Sequence, residues 1–152
     1  MKLSAREQYG LRAMIELGRR HGRGPVSLGE VAGAQGVSLG YLEQIIPLLK
    51  GAGLVESTRG ARGGYELARS PLEITVGDVV RALEEGFIVP LKCISEAEGE
   101  GSCGREEICG ARDVWRKMHE GIVEVLDSTT LSDLAEPSEV SEEATPPYSS
   151  LP

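Results

Sequence analysis

What this chain has little of narrows it first. Cys93, Cys103 and Cys109 are the only cysteines in 152 residues, and an odd number leaves one sulfur over in any disulfide scheme. A chain of this length can bury a core without disulfides. No apolar run is long enough to span a bilayer. Met1 to Arg20 carries a charge in nearly every turn instead of the apolar stretch of an export signal. A cytoplasmic, reducing location without membrane contact is the expectation, and with it metal or redox chemistry at the cysteines rather than stapling. There is neither a nucleophile–base–orienter set nor a phosphate-binding glycine loop, so no catalysis is expected.

The net charge of −8 would ordinarily disfavour a polyanionic partner, but it is unevenly spread. Residues 1–72 hold ten Lys/Arg against six Asp/Glu, for +4, and residues 73–152 hold six against eighteen, for −12. Only the first half has the sign that a phosphate backbone attracts, and its excess permits DNA binding without establishing it.

Helix signals fill that half. Ser4-Ala-Arg-Glu7 is a capping box, and Leu11, Met14, Ile15 and Gly18 recur at helical spacing, predicting a helix from about Ser4 to His21 that stops at Gly22-Arg-Gly-Pro25. Ser27-Leu-Gly-Glu30 opens a second helix ending near Gln35-Gly36, and Ser38 caps a third running to about Gly51. The turn between them has the length of a helix-turn-helix connection. On the third helix Leu42, Ile45, Ile46 and Leu49 share one face, with Gly40, Gln44 and Pro47 opposite and Tyr41 and Glu43 flanking them; Pro47 predicts a local bend. Periodicity alone favours an ordinary amphipathic helix with a solvated side. The residues after Gly51 shift that balance: two strand-like runs, Leu54–Ser57 and Tyr65–Ala68, enclose a tight loop holding Arg59, Arg62 and three glycines. Three helices and a basic hairpin are the layout of a winged helix-turn-helix, in which one helix enters the major groove and the hairpin lies along the backbone or in the minor groove. A plain hairpin with solubilising charges is the rival reading.

Thr75-Val-Gly-Asp78 opens a further helix through Glu85 that carries Val79, Val80, Ala82 and Leu83. Beyond the cysteine segment, Ile108, Ala111, Trp115, Met118, Ile122 and Val125 recur at alternating steps of three and four, the seam of a helix that packs along another helix. A second copy of the chain is the expected partner, with packing back on its own domain as the alternative. From Glu136 onward acids, serines and four prolines predict a disordered tail.

The cysteines are spaced with nine residues and then five between them. Structural zinc sites present cysteines in close pairs, and none exists here. Thiolates suit iron, and iron-sulfur clusters tolerate wider gaps. Three cysteines leave a fourth ligand to come from elsewhere, and by spacing alone merely free cysteines fit as well.

Taken in order, Met1-Lys-Leu-Ser, Tyr9-Gly-Leu-Arg-Ala-Met14, Gly24-Pro-Val-Ser27, Gly36-Val-Ser-Leu-Gly-Tyr-Leu-Glu-Gln44, Gly53-Leu-Val55, Arg59-Gly-Ala-Arg-Gly-Gly-Tyr65, Ile74-Thr-Val-Gly-Asp78, the three cysteines and Trp115 resemble one family. It is that of the iron-sulfur cluster regulator IscR, with the nitric-oxide-sensing repressor NsrR and the cysteine-metabolism repressor CymR, and the resemblance covers roughly Met1 to Leu134. It implies a homodimeric bacterial transcription regulator, repressor or dual regulator. The implied fold is mostly α, a winged helix-turn-helix with a two-stranded wing plus a long C-terminal dimerisation helix. Its parts would be a DNA-binding domain at 1–86, a cluster-binding loop at 87–110, the dimerisation helix with a short return segment at 109–134, and the tail at 135–152.

The same resemblance implies that Ser38, Tyr41, Glu43 and Gln44 face a DNA operator. It also implies that Arg59, with Arg62 beside it, belongs to a wing reaching the minor groove, and that Cys93, Cys103 and Cys109 hold an iron-sulfur cluster, two-iron ahead of four-iron. Two departures stand out. The first cysteine gap is longer than the family's usual five, and Arg112 and Gln8 stand where relatives place a ligating histidine or acid. Glu7 of a partner subunit, Asp113 and a small external thiol remain as fourth-ligand candidates. The rival functions are a cluster-free winged-helix repressor controlled by thiol redox state or by a partner protein, and a small iron-sulfur electron carrier.

Overall fold

In a computed structural model the described residues are 3–83, 94, 104–105 and 108–136. They form α1 (Ala5–Arg19), α2 (Leu28–Gln35), α3 (Leu39–Gly51), β1 (Val55–Thr58), β2 (Gly64–Leu67), α4 (Val76–Leu83), α5 (Arg112–Ser128) and α6 (Leu131–Ala135). The described residues are mostly helical, with one two-stranded antiparallel sheet among them.

Each early helix starts where its cap says it should. The Glu7 N–H donates to Ser4 Oγ at 3.2 Å and the Ser4 N–H to Glu7 Oε2 at 2.5 Å, and Ser27 with Glu30 repeats the reciprocal arrangement. Both boxes satisfy amides that a helix start leaves without an internal partner. α2 stops at Gly36, whose φ of 61° closes the helix in a conformation an L side chain adopts reluctantly. Two residues later Ser38 Oγ accepts the Tyr41 N–H at 3.2 Å and α3 begins. α3 runs unbroken through Pro47 to Gly51.

The hairpin pairs Val55 with Leu67, Glu56 with Glu66, Ser57 with Tyr65 and Thr58 with Gly64. Its regular pairing thus extends one residue further into the loop at each strand than the apolar runs suggest. The Ala68 N–H still donates to the Leu54 carbonyl at 3.0 Å at the open end. Tyr65 also bridges to Val26, through hydrogen bonds of 3.0 and 2.8 Å, so the wing is fastened to the segment entering α2. Gly64 makes this approach feasible, because a Cβ there would sit 2.4 Å from the Val26 carbonyl oxygen.

The core gathers Met14 and Leu17 of α1, Leu42, Ile45 and Leu49 of α3, Leu54, Ile74, and Val79 and Leu83 of α4, all buried. Each such side chain contributes about 1.5–3 kcal/mol relative to exposure. α4 opens with its own box, the Asp78 N–H donating to Thr75 Oγ1 at 3.0 Å and the Thr75 N–H to Asp78 Oδ2 at 3.1 Å.

α5 differs from every other long helix in having no buried residue. It begins at Arg112, so Ile108 lies ahead of it and is exposed, instead of opening its seam. Its far end is tied down. Arg81 meets Asp127 at 2.7 Å, the Val76 N–H donates to the Thr129 carbonyl at 2.8 Å, and the Leu131 N–H donates to the Ile74 carbonyl at 2.9 Å. α6 then lies on α1, with Leu131 at 0% exposure inside the same core and Arg19 Nε donating to the Ala135 carbonyl. The end of the α4 helix at Glu85, most of the 87–110 segment, and the tail from residue 137 lie outside the described residues.

Candidate nucleic-acid interface and cysteine segment

α3 divides cleanly. Leu42, Ile45, Ile46 and Leu49 are buried, while Gly40, Glu43, Gln44 and Pro47 are exposed and Tyr41 is half-buried at the margin. Ser38 is spent on the cap, which leaves its exposed hydroxyl as a marker of the helix start. The outward surface therefore offers a phenol, a carboxylate and a carboxamide, groups able to donate to and accept from base edges.

Arg59 and Arg62 are both exposed at the tip of the hairpin. Lys50, at the end of α3, donates through Nζ to Ser57 Oγ of β1 at 2.5 Å and so couples the helix to the wing. The strands themselves are acidic, with Glu56 directly opposite Glu66, so the positive charge is confined to the tip and to Lys50.

Behind α3 lies a polar group that sequence patterning did not single out. Gln35, the last residue of α2, donates through Nε2 to Glu16 Oε2 at 3.0 Å and accepts through Oε1 from Arg12 Nε at 3.3 Å. The Arg12 guanidinium also donates to the Gln35 backbone carbonyl. Glu16 is buried, at 7% exposure, and accepts from Arg20 Nε at 2.8 Å. Arg12 lies over the Tyr9 ring at 5.7 Å, and Tyr9 meets Tyr41 edge-on, with ring centroids 5.7 Å apart and planes at 86°. The one local signal was Tyr9 and Arg12 standing three apart on α1. Nothing near Gln35 in the chain announces its partners.

Glu30 and Asp127 are held below the usual carboxylate range, as is Asp133 by its hydrogen bonds with the Thr130 backbone and side chain. Glu30 is lowered by its hydrogen bonds to the Ser27 side chain and backbone, with Arg20 adding attraction. Asp127 is lowered by its hydrogen bond from Arg81. Both stay ionised through the neutral range.

Of the three cysteines, Cys93 and Cys103 lie outside the described residues. Cys109 is exposed and in no disulfide, and its carbonyl accepts the Arg112 N–H at 3.2 Å where the chain turns into α5. The thiol is thus open to a metal, and thiolate is a donor that suits iron. The fourth-ligand candidates fare differently. Glu7 is 3% exposed and engaged in the α1 capping box, so reaching a partner's cluster would cost that cap. Asp113 is exposed, one turn from Cys109, and paired with Arg116 at 2.9 Å. Arg112 is half-buried, and a guanidinium offers no lone pair to a metal.

A family described as Rrf2, iron-dependent transcriptional regulator, matches residues 3–137. The HTH-type transcriptional regulator CymR of Bacillus subtilis is 43% identical over 144 residues, covering 95% of this chain and 96% of that protein. The solved structure of that protein, the global cysteine regulator, superposes with a TM-score of 0.72 at 45% identity, over 89% of this chain and 96% of its own. IscR of T. potens superposes with a TM-score of 0.73 at 42% identity, over 96% and 94%. These relatives are named as regulators and none as an enzyme.

Proposed function

The chain belongs to the Rrf2 family of transcriptional regulators, and from that premise we propose that it is a homodimeric, cytoplasmic, DNA-binding repressor or dual regulator whose cysteines hold an iron-sulfur cluster. The observation that carries the DNA reading is the exposed Glu43 and Gln44, with half-buried Tyr41 at their margin, on a capped helix set beside a wing whose tip bears Arg59 and Arg62. An α-helix fits a major groove about 12 Å wide, and arginines favour a narrow minor groove. Ser38 and the amides at the start of α3 suit a phosphate contact.

The dimer reading rests on α5. Val114, Trp115, Met118 and Val125 are exposed in the single chain, at 52%, 38%, 53% and 63%. They share one stripe with Ile122, and a second copy of α5 is the occupant with a matching stripe. Two recognition helices must meet major grooves about 34 Å apart, so the position of each winged domain on α5 decides binding. Arg81, Asp127 and Leu131 fix that position at the foot of α5, while Cys109 sits at its head.

The donor chemistry fits the cluster: three cysteines, one of them described and open at its thiol. When bound, a cluster supplies a redox- and assembly-sensitive link among Cys93, Cys103 and Cys109, two-iron ahead of four-iron. Asp113, a small external thiol or the partner subunit's Glu7 would be the fourth donor. The CymR likeness supports a second reading, a cluster-free repressor answering to cysteine supply through its thiols or a partner protein.

Anaerobic purification, a visible spectrum and iron and sulfide analysis separate the two. The first reading expects a coloured protein that the triple Cys→Ala variant bleaches, with altered DNA binding. A colourless protein whose triple variant binds DNA as before leaves the second. DNA binding that weakens steeply with salt and prefers one selected duplex excludes an electron carrier.

A further inference from the structure

The helix-turn-helix connection departs from a residue gripped on every polar atom of its side chain. Gln35 gives its amide nitrogen to Glu16 at 3.0 Å and takes the Arg12 guanidinium on its amide oxygen at 3.3 Å, with the same guanidinium on its backbone carbonyl. A carboxylate only accepts and a guanidinium only donates, so these two neighbours fix which way the amide points. Only Gly36, Val37 and Ser38 separate Gln35 from α3. Arg12 continues onto the Tyr9 ring, and Tyr9 abuts Tyr41 edge-on. One side chain of α1 therefore touches both supports of the recognition helix, the turn in front of it and the aromatic ring behind Tyr41.

We infer that Arg12 and Gln35 are positioning residues that set base discrimination through Tyr41, an inference resting on the DNA-binding reading above. Hydrogen-bond readout of base edges tolerates misplacement of only about 0.5 Å, and Tyr41 is half-buried, with its ring packed edge-on against Tyr9 of α1. The competing role for an exposed arginine is a phosphate contact. Such a contact is blind to sequence and steepens the salt dependence, whereas a positioning residue alters the preference between sequences.

The test uses the full-length protein, a duplex it selects from a randomised pool, and a scrambled duplex of equal length and composition. Gln35→Met removes both side-chain hydrogen bonds without changing charge. It should weaken binding to the selected duplex about tenfold, within the range for one base contact, and leave scrambled-duplex affinity and the salt slope unchanged. Arg12→Lys, which keeps the charge but loses the fork, should show a smaller loss in the same direction, and it serves if Gln35→Met does not fold. Equal weakening on both duplexes, or no weakening on either, overturns the positioning role alone. A wild-type protein that prefers no duplex overturns the DNA reading and this inference with it.

Discussion

α3 and α5 are both amphipathic helices, of thirteen and seventeen residues, and the fold treats them in opposite ways. The apolar face of α3 disappears into a core built from α1, α4 and the hairpin; that of α5 meets α4 near its end and buries no residue fully, leaving Val114, Trp115, Met118 and Val125 exposed. A periodic pattern thus states that a face is to be covered and is silent on what covers it. The polar faces differ as well. On α3 the Tyr41 ring at the margin of the outward face packs edge-on against Tyr9, over which Arg12 lies while it also holds Gln35. On α5 the polar side carries ordinary solvated pairs such as Arg116 with Asp113.

The contrast breaks most visibly if α5 is charged. Met118→Glu with Ile122→Glu should convert a dimer to monomers in sedimentation, and weaken binding to a two-half-site duplex on the order of 100-fold through lost avidity. Persistence of the dimer would show that the exposed stripe is not the interface. Truncation probes the other helix: Leu42→Ala, at 0% exposure, should cost about 2–5 kcal/mol in urea unfolding. Val125→Ala in the monomeric background should move it by about 0.5 kcal/mol or less, and equal costs at the two sites would erase the distinction.

Arg59→Ala should cost about 1–3 kcal/mol in operator affinity, read by gel shift, with stability untouched because the side chain is exposed. Unchanged affinity removes the wing from the binding surface. A comparably small effect is expected at the foot of α5. Asp127 is exposed enough that its bridge to Arg81 is screened, worth about 0–1 kcal/mol. Because its folded-state pKa is depressed, that contribution is present above the ordinary carboxylate value and fades as pH falls through the lowered one. Asp127→Asn should therefore lose a little stability at neutral pH and none at the acid end. A loss that is constant with pH would assign the effect to packing.

Local signals carried much of the fold. The boxes at Ser4, Ser27 and Thr75, the cap at Ser38 and the hairpin around Arg59 and Arg62 are each written within a few residues, and the elements begin where those residues stand. The extra wing pair, Thr58 with Gly64, was less legible, since glycine and threonine read as loop until Val26 arrives beside Tyr65. The outward face of α3 was visible as a pattern, whereas the bonds that tie Gln35 to Glu16 and Arg12 were not.

By itself, then, the sequence determined where helices and strands start and stop, which side of each is apolar, and that the first half carries the positive charge. Those properties depend on neighbours within a turn or two, and the chain states them directly. Only the tertiary structure decided that α6 returns to seal Leu131 into the core and that α5 buries no residue fully. It alone joined Arg12 to a residue 23 positions away and, through Tyr9, to Tyr41 of α3. Such choices are settled by competition among distant faces for the same buried space, and no local pattern records which one wins.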